Sequence, residues 1–178
     1  RLEELGFKLR KDELDAAFEA FKELADRKRE VTDADLEALM ANQRRTEDVP
    51  SMYGLKHVQV SCGSHEVPTA TVKLTGPDGR TVTDAATGTG PVDAVYKAIN
   101  RIVQVSNVLT EFRVDAVTEG IDALGDVTIR IEKDHQTYVG RGSDTDIIVA
   151  SGKAYMNALN RLLSMGDTSR APEVASTV

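Results

Sequence analysis
The sequence predicts an α+β protein in which an N-terminal helical subdomain precedes two pseudo-twofold βββα units. Three observations carry the prediction. The apolar period changes from 3.6 to 2 near Leu55. Strand-like runs leading to a helix recur in the same order about 57 residues later. The closing helices end in near-copies, "AINRI" (Ala98 to Ile102) and "ALNRL" (Ala158 to Leu162).

Residues 1–48 read as a charged helical subdomain. In "KDELDAAFEAFKELADRK" the apolar positions Leu14, Ala17, Phe18, Phe21, Leu24 and Ala25 recur at helical spacing. "VTDADLEALMANQ" opens with Thr32 as N-cap and Asp35 at N3, a relative of the capping box. Helices this short need a partner for their apolar stripes. Residues 49–54 read as a linker, and 55–165 as the duplicated domain. From residue 166 the chain is small and polar, and a disordered tail is expected over 166–178.

In "LKHVQVSC" Val58, Val60 and Cys62 alternate with His57, Gln59 and Ser61. "TATVKL" places Ala70, Val72 and Leu74 on one face. "GPDG" (Gly76 to Gly79) signals a turn, and "RTVTDAAT" a third strand. In the second copy "LTEFRVDAV", "VTIRI" and "QTYVGRG" mirror the three strands of the first. A three-stranded sheet with one helix is covered on one face only, so the copies must pack together or against another subunit.

The totals narrow the function. A formal charge of −7 argues against a nucleic-acid binder, which needs a basic face. No apolar run approaches the roughly 20 residues that cross a bilayer, and no signal-peptide pattern opens the chain. The single cysteine, Cys62, excludes an internal disulfide framework and fits a reducing, cytoplasmic setting. The chain starts at Arg1 inside a helical pattern and is expected to be part of something longer.

His57, Cys62 and His65 lie close in sequence, but on a strand His57 and Cys62 point to opposite faces, which disfavours a shared metal ion. Cys62 has no base visibly placed to activate it. The abundant carboxylates read as solvated charge, and no catalytic constellation emerges.

The turn "GTGPVDAV" is different. Pro91 suits the first helical position, Gly90 the cap, and Asp93 the first turn. One reading is a well-formed helix start and nothing more. The other is that free N–H groups at Gly90, Val92 and Asp93 receive a small carboxylate while Asp93 holds an ammonium group, the two charged ends of a free amino acid. In the second copy Thr145 reads as the cap, followed by Asp146. Gly152 inside the second helix costs up to roughly 1 kcal/mol against alanine and points to close approach of another element.

"GTGPVDAVYKAINRIV", "VDAVTEGIDALGDVTIRIE" and "GRGSDTDIIVASGKAYMNALNRLL" resemble the C-terminal part of bacterial 2-isopropylmalate synthase. "RLEELGFKLRKDELDAAFEAFKELADRKREVTDADLEAL" is similar to that family's helical subdomain between barrel and regulatory domain. The resemblance covers nearly all of the chain except the tail. It implies a regulatory domain that forms a homodimer and binds leucine as feedback inhibitor. The family's catalytic (β/α)₈ barrel, with its divalent metal and acyl-CoA site, would precede Arg1. The chain itself would then be inactive and hold no cofactor, while its parent would condense acetyl-CoA with 2-oxoisovalerate in leucine biosynthesis.

The family places its effector between two regulatory domains. Carried onto this sequence, the implied effector site comprises Gly90, Pro91, Val92 and Asp93 at the first helix start. A strand face would come from Leu109, Phe112, Val114 and Ala116, and the second helix start from Asp146, Ile147 and Ala150. The alkyl group would rest on Leu109, Phe112 and Ala116, although these residues also fit an ordinary core. Phe112 departs from the tyrosine frequent there, so no hydroxyl contact is implied. Two alternatives stand beside this reading: the isoleucine-sensing domain of citramalate synthase, and a purely structural dimerisation module.

Overall fold
The computed structural model describes residues 2, 9–27, 31–33, 35–36, 39–40, 51–116 and 123–168. Helix α1 (Lys11–Arg27) carries Asp12 and Glu13 in its first turn, where the helix dipole favours them. Its apolar stripe is half covered: Ala17 and Leu24 are buried, whereas Leu14 and Phe18 are exposed. The Lys22 ammonium sits 4.6 Å over the Phe18 ring. At the next helical segment the Asp35 carboxylate accepts the Thr32 N–H and hydroxyl, each at 2.8 Å, and the Asp35 N–H donates to Thr32 Oγ1 at 3.3 Å. This is the reciprocal cap the sequence predicts.

The first unit is β1 (Gly54–Gly63), β2 (Glu66–Thr75), β3 (Thr81–Thr87) and α2 (Pro91–Val103). The second is β4 (Val108–Ala116), β5 (Gly125–Lys133), β6 (Gln136–Asp144) and α3 (Ile147–Thr168). Each unit forms its own antiparallel sheet with the strands in chain order. Both sheets carry the same irregularity, a register shift between Leu55 and His57 in one and between Leu109 and Glu111 in the other. The extra residue turns Leu55 onto the face of Val58 and Val60, and Leu109 onto the face of Phe112 and Val114. The duplication thus extends to a bulge.

The predicted "GPDG" turn is closed by Gly79 N–H to Gly76 C=O at 3.0 Å and Gly76 N–H to Arg80 C=O at 2.8 Å. Gly79 has φ +76°, which suits glycine. The second unit uses Asp134 and His135 instead, with φ +52° and +63°. Two consecutive left-handed residues match the right-handed twist of a tight hairpin.

Ala70, Val72 and Leu74 from β2 and Val127, Ile129 and Ile131 from β5 join both helices in one core. The helices touch through stacked rings of Tyr96 and Tyr155, 4.3 Å apart at 21°. α3 also reaches across to β1. A methyl group built on Gly152 would meet Leu55 Cδ2 at 3.2 Å, Val95 Cγ1 at 3.5 Å and Val58 Cγ2 at 3.6 Å, the close approach its glycine implied. α2 makes no comparable approach to β4. Cys62, expected on the same face of β1 as Val58 and Val60, is exposed; it sits at a second register shift, between Ser61 and Gly63. α3 continues to Thr168, so the chain is helical where the tail was expected to start. Residues 169–178 lie outside the described residues, as do most of 28–50.

Candidate functional site
The start of α2 is built as expected. Gly90 is the N-cap with an extended backbone, φ −159°, and Pro91 follows at N1. Gly88 lets the helix sit against the end of β3, since a Cβ there would run into the Ala94 amide. Asp93 is already engaged, however. Its carboxylate accepts the Thr89 N–H at 2.8 Å and pairs with the Lys97 ammonium at 2.8 Å. The Lys97 contact and the Thr89 amide hold its pKa below the ordinary carboxylate value. An incoming ammonium group would have to displace Lys97.

At α3 the cap is Asp146 rather than Thr145: Asp146 Oδ1 accepts the Ile148 N–H at 2.8 Å. Asp146 is itself positioned by Asp144 Oδ1, which accepts the Asp146 N–H at 3.1 Å. Thr145 Oγ1 turns instead toward Asp144, at 3.5 Å. Ala150 is fully buried and offers no surface to a ligand within this chain.

The β4 face is the opposite case. Leu109, Phe112 and Val114 oppose Ile131, Ile129 and Val127, so they point to the same side as the core of β5. Yet they are 41%, 43% and 39% exposed, because α3 lies over β5 and β6. The matching row on β1 is covered by α3 through Gly152. One apolar row is therefore buried and its repeat-mate bare. The row continues toward α3: Ala116 opposes Gly125, and a Cβ on Gly125 would meet Ile147 Cγ1 at 3.3 Å. The structure thus joins the predicted strand face to Ile147. It leaves Gly90–Asp93 apart, since α2 packs on β2 and β3 and builds no common wall with the β4 row within one chain.

Sequence reading missed the polar groups between the units. Tyr155 Oη lies 2.8 Å from Asn100 Oδ1 and 3.0 Å from Asn107 Oδ1. Asn160 holds both backbone groups of Tyr53: its Oδ1 accepts the N–H at 2.9 Å and its Nδ2 donates to the C=O at 2.8 Å. The repeat-related asparagines Asn100 and Asn160 thus each meet the segment leading into a first strand, Asn107 before β4 and Tyr53 before β1. The signal was present in the "INRI" and "LNRL" match, but its bonding partners are not sequence-local.

A βββα duplication with one buried and one bare apolar row is the build of a module that completes itself on another copy. The family profile described as "LeuA allosteric (dimerisation) domain" matches residues 30–163, and the chain belongs to that family. Over 162 residues, 91% of the chain, it is 57% identical to the 2-isopropylmalate synthases of Gloeobacter violaceus and Thermosynechococcus vestitus. Over 178 residues it is 53% identical to that of Picosynechococcus. The chain spans only 30–33% of the length of these relatives.

Proposed function
We propose that this chain is the leucine-binding regulatory and dimerisation domain of a 2-isopropylmalate synthase. In this reading it inhibits condensation of acetyl-CoA with 2-oxoisovalerate in a barrel carried by the whole protein, which also holds the divalent metal. The bare β4 row carries the reading. A contiguous apolar row gains free energy when it is desolvated, and the family is an allosteric, dimerising one. Two copies related by a twofold axis place one β4 row against the other copy and enclose a cavity. A leucine alkyl group would lie there against Leu109, Phe112 and Ala116, near Ile147. Micromolar-to-millimolar affinity requires only about 4–8 kcal/mol.

The state of Asp93 favours a second reading, a structural dimerisation module, because its carboxylate is already paired. Isothermal titration of the chain with leucine and with isoleucine decides between them. Saturable heat with leucine, weakened by Phe112→Ala, supports sensing. No heat and no thermal shift with either amino acid leaves the dimerisation module, and tighter isoleucine binding reassigns the effector.

A further inference from the structure
We infer that Gly152 closes the β1 face while Val92, Tyr155 and Phe112 hold the repeat-related β4 face open, so that a second copy of this chain enters at β4 alone and assembly stops at two. Given the pairing through β4 proposed above, these are the residues that confine it to one face.

The junction between a helix and a first strand is built from the same four positions in both halves. In one half a Cβ on Gly152 would meet Leu55 Cδ2 at 3.2 Å, Val95 Cγ1 at 3.5 Å and Val58 Cγ2 at 3.6 Å, so these four residues come together. Counted back from the matching Asn100 and Asn160, Val92 stands where Gly152 does, and Tyr155 where Val95 does. Counted from the shared bulge, Leu109 stands for Leu55 and Phe112 for Val58. Glycine, valine, leucine and valine thus become valine, tyrosine, leucine and phenylalanine. Three of the four are larger and none is smaller. Protein interiors are close-packed, and added side-chain atoms force the elements apart. The two junctions cannot close to the same depth. Leu55 and Val58 pack against the core as partly buried residues, whereas Leu109 and Phe112 stay 41% and 43% exposed.

The polar ties differ in the same sense. Asn160 holds both backbone groups of Tyr53 ahead of β1. Asn100 meets the Tyr155 hydroxyl and the Asn107 side chain instead, and among the described residues it makes no bond to the backbone ahead of β4. One open face pairs with its own copy about a twofold axis, and that contact closes at a dimer. Two open faces of like shape would also let β1 of one copy meet β4 of the next, a head-to-tail contact that continues without closing. Gly152 thus keeps the chain from open-ended growth.

The test is sedimentation of the 178-residue chain across a dilution series. Gly152→Val is expected to lift α3 from β1 and to add species larger than a dimer, growing with concentration and reversing on dilution. Phe112→Glu added to Gly152→Val should abolish those species, since every chain then keeps one open face. The converse exchange gives the β4 junction smaller residues: Val92→Gly added to Phe112→Val should raise the dimer dissociation constant about tenfold beyond Phe112→Val alone. Circular dichroism melts separate these effects from lost fold, and if Gly152→Val does not fold, the converse exchange decides. A folded Gly152→Val chain that stays a dimer, or Val92→Gly adding nothing to Phe112→Val, overturns the assignment and leaves the β4 pairing standing. A dimer of the unmodified chain that survives Phe112→Glu removes the pairing itself, and this assignment with it.

Discussion
The two stacked tyrosines differ by one hydroxyl environment. Tyr155 Oη is bonded to asparagine side chains, whereas Tyr96 Oη is buried and has no hydrogen-bond partner among the described residues. Ser151, on the facing helix, donates to the Ile147 carbonyl at 2.6 Å and so has no proton to offer the Tyr96 oxygen. Removing an unpaired buried hydroxyl relieves a desolvation cost, while removing a paired one strands its partners. Tyr96→Phe is therefore expected to be neutral or stabilising by up to about 1 kcal/mol, and Tyr155→Phe to cost about 1–2 kcal/mol. Urea unfolding of the two variants checks the opposite signs. Burial raises both phenol pKa values above the ordinary 10.0. A raised folded value means the stabilisation is intact below pH 10 and is lost as pH climbs toward the folded pKa. Melting temperature should fall above pH 10, less steeply in the double Phe variant. None of this was legible beforehand, because Tyr96 and Tyr155 are far apart in sequence and their pairing depends on how the two helices cross.

Helix seating depends on glycines that the hydrophobic pattern does not flag. A Cβ on Gly142 would fall 2.5 Å from Ala150 O and 2.6 Å from Ala154 N, both backbone atoms of α3 that cannot step aside. Gly142→Ala should therefore cost about 1–3 kcal/mol or more through overpacking. At Gly90 nothing lies within 4 Å of a Cβ and the backbone is extended. Gly90→Ser should be tolerated, gaining up to about 0.5 kcal/mol by capping α2. Thermal melts of the pair distinguish a glycine needed for close approach from one that merely occupies a cap. α2 is further tied to its sheet by Arg101 and Asp84, and that hydrogen bond keeps Asp84 below its ordinary pKa of 3.8. A depressed folded pKa contributes stability that is present above the unfolded value and lost as pH falls through the folded one. Asp84→Asn should accordingly flatten the decline in melting temperature below about pH 4. Caps and turns were legible element by element, as at Thr32 with Asp35, Gly90 with Pro91, and "GPDG", because their chemistry is local. The Thr145 assignment failed because the helix starts one residue later, where Asp144 turns the chain.

Across the whole molecule, the repeat was readable because its strands and asparagines recur in order. The inequality of its halves was not. Val58 and Phe112 occupy the same position in their sheets, yet only the Val58 row lies under α3, and that follows from how the units cross. The bulge at Leu109 shows the same limit: strict alternation would place Leu109 on the opposite face from Phe112. If the bare row is the contact between copies, a charge in it must be buried or must keep the copies apart, and burying an unpaired carboxylate costs several kcal/mol. Phe112→Glu is expected to shift the chain from dimer to monomer at micromolar concentration, measured by sedimentation across a dilution series. Val82→Glu supplies the control, since Val82 is an exposed apolar residue of β3 in the first unit, away from β4. Loss of the dimer in Phe112→Glu alone would locate the interface at β4. Equal loss in both variants, or in neither, would move the interface elsewhere and detach the leucine cavity from this face.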